Sequence, residues 1–198
     1  MLASIVPLVE RARNRTWGLT VAAYVLGSVL GGALLGAGAG ALGEIAFHRA
    51  TLDPRLIWGS VAAVCVLGAA IDLGGVPLPT IHRQVNEDWL HRYRGWVYGL
   101  GFGFQLGLGV VTIVTTATVY LVFVLGLLSG SWGAALVIGA VFGLVRAVPV
   151  LTMAPVTTPA RLRRVHQRMH RWAPWAARAA VGVQCAAAAV AVAGVVRP

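Results

Sequence analysis

The chain has 198 residues, of which 58% are hydrophobic and only 11% charged, with a mean hydropathy of +0.79. That balance excludes an ordinary soluble domain and predicts an all-α, polytopic transmembrane helix bundle. The sixteen positive charges are all arginine and outweigh six acidic residues for a formal +10, but they sit in short segments between apolar runs, where anionic headgroups attract them, and form no tail that would wrap nucleic acid.

The N-terminal stretch "MLASIVPLVERAR" has no basic region ahead of its apolar residues and no clear cleavage site, so it is expected to be retained as a short interfacial helix. Five later segments reach the length of about 20 residues that a helix needs to cross a bilayer core: 17–43, 57–76, 96–128, 132–155 and 173–195. In the first, "GSVLGGALLGAGAGALG" sets Gly27, Gly31, Gly32, Gly36 and Gly40 so that several recur every four residues. The groove this makes on the helix face predicts a central position with neighbouring backbones pressed against it. The second span carries Asp72 near its end.

The third segment, straight, would extend about 50 Å against a hydrocarbon core of about 30 Å, so it must tilt, protrude, kink or break. Gly99, Gly101, Gly103, Gly107 and Gly109 crowd its first half. They serve either close helix packing or an interruption around a binding site; a re-entrant pair here would raise the count from five to six. Gln105, Thr112, Thr116 and Tyr120 follow near-helical spacing and make one polar stripe, which either lines a polar path or bonds back to the preceding turn.

"SGS" at 129–131 turns the chain into the fourth span, where Arg146 is followed by Pro149 and Pro155 and a bend is expected. In "TTPARLRRVHQRMHRW", Thr158 is placed to cap a helix whose first residue is Pro159. Arg161, Arg164, Arg168 and Arg171 share one face of that helix, and Leu162, Val165, Met169 and Trp172 another, which describes a basic amphipathic helix at a membrane surface. His82, His91, His166 and His170 fall in such loops without cysteine or carboxylate at ligand spacing, so neither metal nor cofactor is expected. Cys65 and Cys185 lie far apart inside apolar runs.

Arginine bias in the short loops places the N-terminus in the cytoplasm and the C-terminus outside the cell (inner) membrane. Arg13 and Trp17, Arg92 and Trp96, and Arg171 and Trp175 form three Arg-x-x-x-Trp pairs, each 79 residues from the next and each where a span leaves the cytoplasm. Snorkelling arginine and interfacial tryptophan explain each anchor. The equal spacing, with "WGSVAAVCVLGAAID" resembling "WGAALVIGAVFGLVR", suggests duplication within one integral domain, 1–198: units of about 13–91 and 92–170 and a terminal helix, 171–198. Superposing the two Trp-Gly starts, Trp58 on Trp132, makes Asp72 and Arg146 equivalent, and an intramembrane pair between them is one expectation; a capping Asp72 and a snorkelling Arg146 is the other.

The segments "GWVYGLGFGFQLGLGVVTIVTTATVYLVFVLGLL" and "GAALVIGAVFGLVRAVPVL" resemble the second half of the DsbD/CcdA-type transmembrane carriers of cytochrome c biogenesis, within the lysine-exporter-like superfamily. The resemblance implies a bundle of two pseudo-symmetric halves that passes reducing equivalents through a cysteine in the first helix of each half. Spans one and three contain no cysteine, so no catalytic residue carries over. The functional expectation is therefore a small bacterial transporter or carrier; the alternative is a non-catalytic scaffold or assembly factor, with a membrane-protein partner or a second copy of itself.

Overall fold

The computed structural model describes residues 5–12, 16–47, 53–76, 78, 93–109 and 116–196. Among them are α1 (Pro7–Ala12), α2 (Trp17–Phe47), α3 (Pro54–Gly74), α4 (Gly95–Leu108), α5 (Thr118–Leu128), α6 (Trp132–Ala147), a 3-10 helix (Val148–Met153) and α7 (Pro159–Val196), with no strand. The all-α bundle is as expected. Four helices are long and apolar enough to cross a bilayer: Trp17–Phe47, Pro54–Gly74, Trp132–Met153 and Pro159–Val196.

The third span is not one rod: of the outcomes its excess length allowed, it takes the break. It divides into α4, of 14 residues, and α5, of 11. Gly109 ends α4 in the left-handed region (φ +69°), and its N–H turns back to Leu106 O at 3.1 Å; a residue with a Cβ is strained there.

α2 is the hub, and its composition says why. Gly27 and Gly31 lie against the α4 backbone at Leu100 and Phe104, while Gly32 and Gly36 lie against the α6 backbone at Gly139, Gly143 and Ala135. The contact is reciprocal, since Gly99, Gly103 and Gly107 of α4 meet the carbonyls of Thr20, Tyr24 and Ser28. Small residues let the backbones approach, and dispersion rather than hydrophobic transfer holds helices together where the solvent is lipid. Ser28 ties the crossing by donating to Gly143 O at 2.7 Å. Leu19, Leu26, Leu30, Leu34 and Leu42, on the opposite side of α2, are exposed, as a lipid-facing surface requires.

These contacts fix the directions. Thr20, Tyr24 and Ser28 climb beside Gly99, Gly103 and Gly107, so α2 and α4 run parallel, and α6 runs back from Gly40 toward Ser28. α5 continues upward, bringing Gly126 to Ala39 and Leu127 to Gly43. α4 and α5 are thus two half-helices of one sense, and the gap between them lies level with the middle of α2. α3 descends beside α5, with Gly68 on Leu121, and α7 rises beside α3 to bring Gly194 onto Trp58.

Two expectations about the ends of the bundle change. α1 does not simply lie at an interface: Ile5, Val6 and Glu10 are fully buried, and Leu8 N donates to Val156 O at 3.1 Å. α7 is a single helix of 38 residues, about 57 Å long, which fuses the amphipathic loop helix with the last span straight through Pro174. Its start is as expected, with Thr158 Oγ1 accepting from Arg161 N at 3.3 Å. The apolar stripe of Leu162, Val165 and Met169 packs on Val6, Met153 and Val156, while Trp172 stays exposed.

Candidate functional site

Polar side chains inside an apolar bundle mark the place to look. The gap between α4 and α5 gathers several. At its lower side the guanidinium of Arg146 stands over the Phe142 ring, 5.3 Å from the centroid, and reaches Gly109: a Cβ built there would lie 3.4 Å from Nη1. A cation thereby meets the carbonyl end of α4, the negative end of its dipole. At the upper side Asp72 Oδ1 accepts the N–H of Ala117 at 2.7 Å, which places an anion at the amide end of α5. Each half-helix end is answered by the charge of opposite sign.

Asp72 Oδ2 accepts from Gln184 Nε2 at 2.8 Å, and the same nitrogen donates to Thr118 Oγ1 at 3.0 Å. One small cluster therefore joins α3, α5 and α7. Among the described residues no hydrogen bond or ion pair links Asp72 with Arg146; the two flank one interruption from opposite sides, because each half-helix terminus has its own orphan groups to satisfy.

The expected polar stripe is divided by the same interruption. Gln105 is half-buried on α4, Thr116 is half-buried just before α5, and Thr112 lies outside the described residues. Tyr120 borders an apolar cavity of about 330 Å³ between α3 and α5, lined also by Val64, Leu67, Gly68, Ile71 and Leu121. Of the interfacial anchors, Arg13 and Arg92 lie outside the described residues. Trp17 donates its Nε1 to Ile5 O at 3.3 Å; Trp96 shares its end of the bundle and is exposed, as is Trp175, which stacks with Arg178 at 5.1 Å. Arg171 is exposed on α7. Cys65 is buried and Cys185 exposed, both as free thiols. Among the described residues no group of three metal-ligating side chains occurs.

The buried polar residues Glu10, Thr20, Ser28 and Gln184 escaped the sequence reading, and two of them organise contacts between helices beyond the crossing tied by Ser28. Gln184 is one; its signal was a lone amide within the apolar fifth span. The other is Glu10, fully buried, whose Oε2 accepts from Thr20 Oγ1 at 2.7 Å and whose Oε1 accepts from the hydroxyl of Tyr98. Its carboxylate locks α1 onto α2 and α4.

Curated proteins with similar sequences share one name. The methylamine utilization protein MauF of Paracoccus versutus is 35% identical over 147 residues, 71% of this chain and 52% of that protein. MauF of Methylophilus methylotrophus is 30% identical over 159 residues, 79% of this chain and 54% of its own, and that of Methylorubrum extorquens 34% over 137 residues, 67% and 44%. The chain spans about half the length of the curated relatives it matches. No family model matches the chain, and no solved structure does. The resemblance to DsbD/CcdA-type cytochrome c biogenesis carriers is overturned by these relatives; glycine-rich apolar segments recur wherever membrane helices pack closely. Over most of its own length the chain is similar to methylamine utilization proteins MauF.

Proposed function

We propose that this multi-pass membrane protein is a non-catalytic assembly factor or scaffold for a membrane complex, in a system of the kind its relatives are named for, methylamine utilization. Similarity to MauF proteins over 71% and 79% of the chain carries the reading. The packing supports it over a carrier. Gly99, Gly103 and Gly107, which would have to open a path through the third span, lie in contact with α2 carbonyls. The first half of α7 instead leaves Arg164, Arg168, Arg171, Trp172 and Trp175 exposed, a basic and aromatic surface for anionic headgroups and for a membrane-protein partner. In this reading that surface and the N-terminus are cytoplasmic and the C-terminus is outside, by the arginine excess.

The test is a clean deletion in a host that grows on methylamine. Growth on methylamine should be lost and restored by the full chain, while uptake of labelled methylammonium by intact cells continues unchanged. Loss of that uptake in the deletion strain, with flux regained in liposomes holding the purified chain alone, would overturn the scaffold reading in favour of a carrier.

A further inference from the structure

We propose that the first half of α7 is a docking face for an acidic helix of a membrane-protein partner, standing clear of the lipid headgroups. The inference rests on the scaffold reading for its purpose and gives that reading's partner a chemistry. Arg161, Arg164, Arg168, Arg171, Trp175 and Arg178 are all exposed and follow one another in steps of three, four, three, four and three. A period of about 3.5 residues keeps them in one seam facing a second helix that wraps against α7. The apolar stripe of the same segment is closed to lipid, because Leu162, Val165 and Met169 pack on Val6, Met153 and Val156.

Height along α7 decides between headgroups and a protein. Gly126 meets Ala39 on the parallel α2, so Thr118 and Gln184, bonded at 3.0 Å, stand level with the middle of α2. At about 1.5 Å per residue, Trp175 and Trp172 lie about 14 and 18 Å below Gln184, and Trp58 about 21 Å above its partner Asp72 on α3. Those are the two aromatic belts of one bilayer, whose headgroups end about 20–22 Å from its midplane. Arg164 and Arg161 lie about 30 and 35 Å below Gln184, and an average tilt of about 20° shortens that by only about 6%. The upper seam is at headgroup level and the lower seam is beyond it.

The charge there is unbalanced among the described residues. Glu44 and Asp53 sit at the opposite end of the bundle and Asp72 at mid-span. Glu10 is buried beneath Thr20 and Tyr98, and Glu87 and Asp88 lie outside the described residues. Arg161 reaches only Pro155 O and Thr157 Oγ1, both at 3.2 Å, and Arg168 stacks on Trp172 at 5.7 Å. Guanidinium forks match carboxylates, so a helix with Asp or Glu at the same three-and-four spacing complements the seam.

The test uses the full chain in phosphatidylcholine nanodiscs and a labelled synthetic helix of about three heptads with glutamate at both seam positions of each. Binding should be saturable and weaken as salt rises. The same composition in scrambled order should bind about tenfold more weakly. Arg164→Glu should cost about tenfold, and Arg163→Glu, the same charge change off the seam, less than about threefold. Equal binding of the two peptides, equal losses in the two variants, or tighter binding of a DNA duplex at the same salt would overturn the docking face. A spin label on Arg164→Cys, in a Cys65→Ser, Cys185→Ser background in phosphatidylglycerol vesicles, should be relaxed by a water-soluble nickel chelate more than by oxygen. The reverse would give the arginines to the lipid surface and overturn the proposal. These readouts involve neither growth nor uptake, so failure of the seam and failure of the scaffold reading are told apart.

Discussion

Glu10 shows how a single carboxylate positions a segment. The helix that carries it has six residues, too few to persist alone, and it holds its place because Glu10 satisfies the buried hydroxyls of Thr20 and Tyr98 while Ile5 and Val6 fill the core beside them. Glu10→Ala should remove the carboxylate that accepts from both hydroxyls and lower stability by about 1–3 kcal/mol. Glu10→Gln keeps the shape and a hydrogen-bonding group at each oxygen position, so it should cost clearly less. Detergent-state unfolding midpoints of the two variants decide the matter, and equal losses would mean that packing alone anchors α1. At this scale the sequence exposed the intramembrane charges Asp72 and Arg146 but not their surroundings. The reason is separation: Glu10 meets Tyr98 across 88 positions and Asp72 meets Gln184 across 112, and no local periodicity encodes such contacts.

Helices were more legible where composition repeats. The four-residue recurrence of glycine in the first span announced a grooved helix, and α2 uses that groove on two sides, for α4 and for α6. Excess length and clustered glycines announced trouble in the third span; the position of the interruption, at Gly109, follows from its left-handed backbone and could not be told from the neighbouring glycines beforehand. The amphipathic loop helix and the last span, from residue 173, were expected as separate segments, yet α7 runs through both and through Pro174, since an exposed helix tolerates the carbonyl left without its donor when headgroups or water can reach it. The packing predicts opposite outcomes for two glycines. A Cβ on Gly103 would fall onto the Tyr24 carbonyl, whereas Gly38 has nothing within 4 Å. Gly103→Ala should destabilise the bundle by about 1–3 kcal/mol through overpacking, and Gly38→Ala should be neutral or stabilising through its better helix propensity. Paired unfolding midpoints check this; equal behaviour of the two variants would deny α4 its place against α2.

For the whole molecule, what could be read in advance was the solvent: apolar runs, arginine in the short bends and tryptophan at the ends describe a chain surrounded by lipid. What could not be read was which helix neighbours which. The proposed units, 13–91 and 92–170, do not pack as closed pairs, because α2 holds α4 and α6 while α3 holds α7, and such choices depend on side-chain fit between faces that are equally apolar in sequence. The path of the chain nevertheless has a definite consequence. Ile5 lies with Trp17 and Val150 at one end, and Gly194 lies with Trp58 at the other, so Arg11 and the end of α7 should stand on opposite faces of the membrane. Single cysteines placed in a Cys65→Ser, Cys185→Ser background at Arg11, Thr157, Ser131 and Val196, labelled in sealed vesicles with a membrane-impermeant maleimide, test this directly. The account predicts that Arg11 and Thr157 label from one face and Ser131 and Val196 from the other; labelling of Arg11 and Val196 from the same face would contradict it.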